Sequence, residues 1–343
     1  MTTTRASAPG KIILFGEHAV VYGQPALAVP VTQVQATAAI SLHPSLPSPP
    51  GTVVPEAKRS GAQAGEGGEG GFWIEALNLN RRYRLSDAPP DDVLSAAVRL
   101  TCVHVGLPIP TGVSLSVDST IPIASGLGSG AAVCAAVVRA LTNYLDYRIT
   151  NDEVSALVFE TEKLLHGTPS GIDNTVIAYG QPVCFVKGQP PAPFKVAHPF
   201  RLLIADTGLP SPTKVTVGDV RAAWQQEPER YEQIFRAIGD IVREARAVIE
   251  VPQTLKVSET FRVLGNLMNR NHALLQRLDV SCPELDGLIS ASLDAGASGG
   301  KLSGGGRGGN MIALVSEAVE GRVRVALEAS GAKRVVSAVI SEQ

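Results

Sequence analysis

The amino-acid sequence predicts an α+β protein of two domains, and three observations carry that prediction. Apolar residues alternate with a period of two in stretches such as residues 112–120 ("GVSLSVDST") and recur near helical spacing in others, such as residues 91–107 ("DDVLSAAVRLTCVHVGL"). The two kinds of segment are mixed along the chain without an internal repeat, the pattern of an α+β class. At 343 residues the chain is long enough for two domains of ordinary size, each with its own core.

The elements follow in order. Residues 5–40 cluster and alternate like strands around a turn. Residues 44–71 are rich in Pro, Gly, Ala and Glu with almost nothing to bury, which predicts a mobile insertion and not a domain. "GFWIEALN" and "RRYRLS" read as a hairpin, residues 91–107 as a helix and residues 112–120 as a strand. Residues 131–145 are apolar on nearly every face, as a fully buried central helix would be. A further helix opens with the capping box Thr150 to Glu153 and ends at Gly167. The prolines of residues 181–200 predict a domain-crossing hairpin and linker, with the boundary placed so that the domains are residues 1–190 and 191–343. Beyond it come a strand at "RLLIADTG", amphipathic helices over 215–249 and 255–279, and a helix with Ser281 as cap and Pro283 in its first turn. A glycine hairpin into a strand over 299–315, a helix over 317–330 and a strand at "RVVSAVI" complete the chain.

Composition limits what the protein can be. Hydrophobic residues make up 44%, charged residues 18%, and the formal net charge is −2, so the chain has no global attraction to nucleic acid or to acidic membranes. Any anion it binds must be held by a local site. The apolar run before Gly16, Ile12 to Phe15, is too short for a signal-peptide core, and no later segment approaches a membrane span; a cytoplasmic protein is expected. Cys102, Cys134, Cys184 and Cys282 lie far apart without a Cys-x-x-Cys pair, which favours buried reduced thiols over disulfides or zinc.

The local site is suggested by "IPIASGLGSGAA", residues 121–132, which joins a strand to the buried helix. Glycines let the backbone approach a ligand closely and turn successive N–H groups toward phosphate oxygens, and the helix that follows adds the positive end of its dipole. Taken alone the loop is equally a plain glycine turn. A Walker A loop is excluded, since no Lys follows the glycines. Gly126, Gly128 and Ala131 fit a dinucleotide-binding pattern with Asp146 twenty residues on, but that Asp stands between two helices where the dinucleotide fold needs a strand end.

Three separated stretches agree with one family. "PGKIILFGEHAVVYG" (residues 9–23), "IPIASGLGSGAA" and "GGKLSGGGRGGNMIAL" (residues 299–314) resemble the three motifs of the GHMP kinases, which phosphorylate small molecules. Within that family "FGEHAVVYGQPALA", "ETEKLLHGTPSGIDN" (residues 160–174) and "IADTGLPSPT" are most similar to the mevalonate kinases. The similarity spans the chain except residues 44–71. It implies a ribosomal-protein-S5-like N-terminal domain, a ferredoxin-like C-terminal domain and an active site between them. It also implies that ATP phosphates rest on Pro122, Ile123, Ala124, Ser125, Gly126, Leu127, Gly128, Ser129, Gly130, Ala131 and Ala132, and are closed over by Gly304, Gly305 and Gly306. Mevalonate would be the alcohol substrate and magnesium the cofactor. Family members commonly carry Gly-Leu-Gly-Ser-Ser-Ala where this chain has Gly130 in the place of the second serine, the one credited with a magnesium contact; only Ser129 is left. Another kinase of the family, acting on phosphomevalonate or a sugar, and a non-catalytic binding protein of the same fold are the competing readings. The resemblance leaves monomer and homodimer open.

The residue types needed for the chemistry are present. Phosphorylating an alcohol requires a positioned hydroxyl, a group to take its proton and cations to offset charge on the transferring group. Asp173 is the candidate base, with a helix cap as its other reading. Lys11 is the candidate partner that keeps Asp173 ionised; the apolar residues Ile12 to Phe15 beside it argue for a buried strand against a solvated surface lysine. By the resemblance Glu17, His18, His166 and Ser170 line the alcohol's pocket, while Glu17 and His18 are also readable as a polar pair satisfied within a turn. Glu162 would supply a carboxylate to magnesium together with Ser129, its alternative being a helix-surface glutamate. His166 follows Glu162 at i+4, but no third ligand spacing makes the two a zinc site. Arg307, inside the third glycine stretch, is left between a phosphate contact and an exposed side chain.

Overall fold

The computed structural model describes residues 3–43, 70–122, 126–166, 169–250 and 257–341, leaving out the side chains at 165–166 and 257–258. Most of the predicted insertion, residues 44–69, lies outside the described residues, as do Ile123, Ala124 and Ser125 of the glycine loop and the side chain of His166. The chain divides into two compact units.

The first unit holds Met1–Ala8, Ala36–Thr120 and Gly130–Gly167. Strands β1 (Thr4–Phe15) and β2 (Ala26–Leu42) each begin or end in it, followed by β3 (Phe72–Ala76) and β4 (Arg81–Arg84). These last two form the expected antiparallel hairpin, with Trp73 opposite Arg84. Helix α1 (Val93–Val105) starts on Asp92, whose carboxylate accepts from the Ser95 amide, and stops at Gly106, which takes the left-handed conformation a C-terminal cap requires. Strand β5 (Val113–Ser119) lies parallel to β3 and antiparallel to the last seven residues of β2. Helix α2 (Ser129–Tyr144) buries Ala131, Ala132 and a near-continuous run from Cys134 to Val138, as its apolar sequence demands. Asp146 follows it at a positive φ in a turn, not at a strand end. In α3 (Asn151–His166) the capping box is made: the Thr150 amide and hydroxyl both donate to Glu153 at 2.7 Å, and the Glu153 amide donates back to the Thr150 hydroxyl.

The second unit holds Pro9–Gln35, Ile121–Ser129 and Thr168–Gln343. Helix α4 (Ile172–Tyr179) packs Ile172 and Val176 into a core with Ile13, Ala26, Ala28, Val183 and Phe185, the last two from β6 (Val183–Phe185). β6 pairs with the start of β2 and, through the predicted hairpin, with β7 (Ala192–Pro193). Strand β8 (Phe200–Asp206) leads into α5 (Thr213–Gln226), α6 (Pro228–Glu250), α7 (Val257–Arg277) and α8 (Pro283–Asp294). The single helix expected over 215–249 is therefore two. Pro228 has no N–H to donate and disfavours helical geometry in the residue before it, so Glu227 sits at φ −128° and the chain restarts. Cys282, not Ser281, occupies the cap position of α8, because Ser281 instead turns its hydroxyl to Asp286.

The chain closes with β9 (Gly299–Ser303), β10 (Asn310–Val315), α9 (Glu317–Ala329) and β11 (Arg334–Ile340). Strands β11, β8, β10 and β9, in that order, make an antiparallel four-stranded sheet. Helix α7 lies so close to β9 that a side chain on Gly265 would collide with the backbone of Ser298 and Gly299. Every residue of β9 and β10 is buried. No helix among the described residues is long and apolar enough to cross a membrane.

Candidate active site

The second unit brings the first and third glycine-bearing stretches together at the end of β1. Lys11 is 3% exposed, as the apolar run beside it predicts, and its ammonium lies 2.9 Å from Asp173 Oδ1. The local sequence explains the meeting. Gly171 takes φ +93° as the cap of α4, and burial of Ile172 and Val176 fixes the helix against β1, which leaves Asp173 in the first turn beside the lysine. Burying each such aliphatic side chain is worth about 1.5–3 kcal/mol. Asp173 is thus not the cap; its carboxylate is about one-third exposed and committed to Lys11.

The glycine loop touches the same lysine. The Lys11 amide donates to the Leu127 carbonyl at 2.9 Å, and Gly128, at φ +73°, packs against the lysine stem where a side chain would not fit. Gly126 also has a positive φ, so the loop uses its glycines for backbone shape. Leu127 is buried, Pro122 half-buried, and Ser129 opens α2.

Glu17 and His18 follow at the end of β1, both buried. Glu17 Oε1 accepts from Lys301 Nζ of β9, a pair with no exposure on either side; Lys301 also donates to the Leu302 carbonyl at 2.6 Å. Burial pushes the Glu17 carboxyl up and the Lys301 ammonium down, and the attraction of each for the other opposes both changes. Glu17 Oε2 is buried without a hydrogen-bond partner among the described residues. His18 has φ +59° and its Nε2 lies 3.0 Å from the Gly305 carbonyl, which makes that nitrogen the protonated one. Burial lowers its pKa to about 4, partly offset by that hydrogen bond and reinforced by the charge of Arg307. The reading of Glu17 and His18 as a pair satisfied within their own turn is replaced by long-range partners in the third stretch.

That third stretch is held from several sides. Ser303 donates to the Ile13 carbonyl at 2.9 Å, Ser211 to the Gly306 carbonyl at 2.9 Å, and Gly304, Gly306, Gly308 and Gly309 all have positive φ. Arg307 resolves as a clamp: it donates to the Asp279 carbonyl at 3.0 Å and pairs with the carboxylates of Asp219 and Asp279. Ser170 accepts a long 3.4 Å contact from the Ile172 amide.

Glu162, Gly130, Ala131 and Ala132 belong to the first unit. Glu162 is 4% exposed, so it is not a helix-surface glutamate, and its charge is among the causes that, after burial, push the Cys134 thiol up to about 12. All four cysteines are free. No group of three or more His, Cys, Asp or Glu side chains suited to a metal occurs among the described residues. Lys301 is the site residue that sequence reasoning passed over. Its signal was there: a lone lysine between Gly299-Gly300 and the run Gly304 to Gly306, at the centre of a strand with no other charge before Arg307.

Comparison with known proteins places these features. Residues 92–181 match the GHMP kinases N terminal domain and residues 254–333 the GHMP kinases C terminal domain. The chain is 34% identical over 350 residues to a mevalonate kinase of Thermococcus sibiricus, covering 98% of this chain and 96% of that one. It is 35% identical over 316 residues to a mevalonate kinase of Pyrococcus furiosus, covering 90% and 88%. Among solved structures it resembles the L. major mevalonate kinase in complex with R-mevalonate, with a TM-score of 0.80 and 26% identity over 100% of this chain and 97% of that one.

Proposed function

The chain belongs to the GHMP kinases, among the mevalonate kinases, and from that premise we propose that it transfers the γ-phosphoryl group of ATP to the 5-hydroxyl of mevalonate, releasing 5-phosphomevalonate and ADP. The observation that carries the mechanism is the buried Lys11 ammonium 2.9 Å from a partly exposed Asp173 carboxylate. Asp173 accepts the hydroxyl proton as the oxygen forms its bond to the γ-phosphorus and the bond from that phosphorus to the β,γ-bridging oxygen breaks. Lys11 holds the Asp173 carboxylate in place and offsets negative charge on the attacking oxygen.

The phosphates of ATP fall to the backbone amides of residues 122–132 and of Gly304, Gly305 and Gly306; positive φ at Gly126, Gly128, Gly304 and Gly306 supports this, since such turns direct successive amides to one side. Glu17, His18, His166 and Ser170 make up the alcohol's pocket in this reading, His18 as a neutral hydrogen-bonding group because burial holds its pKa low. Glu162 and Ser129 offer hard oxygen donors, a buried carboxylate and a hydroxyl, of the kind magnesium takes; when bound, the ion neutralises charge on the phosphates. Gly130 contributes no oxygen, and magnesium keeps water readily in such a position. The matched family regions fall on either side of the proposed domain boundary at residue 190. Free cysteines support a reducing, cytoplasmic setting.

A coupled ADP-release assay with mevalonate, phosphomevalonate, homoserine and galactose tests the activity. Turnover with mevalonate alone is the expected result. Preference for another alcohol would move the chain to a different kinase of the family, and ATP binding without turnover would make it a binding protein.

A further inference from the structure

Two buried ammonium groups are paired with two carboxylates in the second unit, one pair on β1 and one just past its end, and the structure pairs them in one of two conceivable ways. Lys11 pairs with Asp173, and Lys301 with Glu17. The other pairing has a carboxylate to draw on: Glu17 Oε2 is fully buried with no hydrogen-bond partner among the described residues, and the Lys11 charge is felt at Glu17. An ionised carboxylate with a free oxygen in a dry surrounding is a strong competitor for any nearby ammonium.

We propose that Lys301 is a positioning residue, acting through Glu17, that occupies this rival carboxylate and so keeps Lys11 on Asp173. The inference rests on reading Lys11 and Asp173 as the catalytic pair and adds the residue that decides how the lysine is shared. Lys301 is built for the task. It is fully buried at the middle of β9, between Gly300, whose amide is held by Asn269 at 2.8 Å, and Leu302, whose carbonyl takes a second bond from the ammonium.

Among the described residues, few charged and titratable groups face the pair. From β1 there is Lys11, with Asp173 of α4 beyond it; from α7 there is His272, buried, bonded through Nε2 to Asp286 and held low in pKa chiefly by burial, with the Lys301 charge contributing. A neutral His272 does not compete with Lys11 or Lys301 for Glu17.

The test is suppression at a second site. Lys301→Met, Glu17→Gln and the double variant are assayed at saturating ATP and mevalonate, each checked for folding by thermal unfolding. Lys301→Met is expected to lower kcat by roughly 10- to 100-fold, the range of coupling between touching residues, because Glu17 then draws Lys11 away. Its kcat should also fall as pH rises through the Glu17 ionisation, a limb missing from wild type. The double variant, with no rival carboxylate, should regain kcat to within about threefold of Glu17→Gln and lose the extra pH limb. Losses that simply multiply in the double variant would overturn the proposal, as would an unchanged kcat in folded Lys301→Met. Should Lys301→Met not fold, the comparison of the double variant with Glu17→Gln decides: equal kcat supports the proposal and a further loss sinks it. Full activity in Asp173→Asn would instead remove the catalytic pair itself, so the two failures are distinguishable.

Discussion

Replacing Gly128 by Ala tests whether the glycine loop sets the position of Lys11. At Gly128 φ is +73°, where a side chain costs about 1–2 kcal/mol in backbone strain. The new methyl would also lie 2.8 Å from Ile177 Cδ1, 3.1 Å from Lys11 Cγ and 3.3 Å from Lys11 Cε. Ile177 is 1% exposed, so its Cδ1 must shift within packed surroundings, and overpacking adds about 1–3 kcal/mol. The loss of about 2–5 kcal/mol is large against the 5–15 kcal/mol typical of a folded domain, but short of unfolding it. For the chemistry the displacement matters more. The lysine stem must yield, the 2.9 Å contact with Asp173 lengthens, and a shift approaching 1 Å in a catalytic group costs on the order of 10²-fold. The control is Gly23→Ala, whose φ of +80° brings the same strain but whose new methyl meets no atom within 4 Å. Urea unfolding and kcat at saturating substrates are measured for both variants. Gly23→Ala is expected to lose stability alone, and Gly128→Ala to lose more stability together with roughly 10- to 100-fold in kcat. Equal stability losses with kcat within twofold of wild type in both would show that the loop does not position the lysine.

Asp173→Asn should keep the fold and lower kcat by roughly 10²–10⁴-fold, as loss of a general base does, and Lys11→Met added to it should cost far less than it does alone, since the two act on one step. His18, held near 4 by burial, stays neutral in the folded state while the unfolded chain takes up a proton below about pH 6.5. The stability it contributes is therefore complete above pH 6.5 and falls by roughly 3 kcal/mol as the pH drops to 4; urea midpoints at pH 7.5 and pH 5 should converge in His18→Asn. Raising magnesium in Glu162→Gln should be needed to reach half-maximal rate, and Gly130→Ser should need less than wild type, both read from magnesium titrations of the ADP-release rate.

What was legible in the sequence was local. The capping box at Thr150 and Glu153, the glycine that ends α1 and the burial of Lys11 beside Ile12 to Phe15 each depend on a few neighbouring residues, so a short window carries the whole signal. The break at Pro228 was equally local but was outweighed, because the amphipathic period runs on from α5 into α6 and hides the missing N–H. Ser281 was a reasonable cap by type; its hydroxyl found Asp286 five residues on, a competitor that periodicity does not rank.

The pairing of Glu17 with Lys301 spans 284 positions, and although the lone lysine stands out in its glycine-rich stretch, neither neighbourhood names the partner, since a buried ion pair is made by topology: β1 must end beside β9 before the two charges can meet. The same holds for Arg307, whose open reading closes only when α5 and the turn after α7 bring Asp219 and Asp279 to it. Motif reasoning finds the residues that touch substrate because their chemistry restricts their type. Residues that hold those residues in place are restricted only by their surroundings. A lysine at position 301 therefore reads as an oddity in a glycine-rich strand until the sheet is assembled, and then its pairing with Glu17 leaves Lys11 to the partly exposed Asp173.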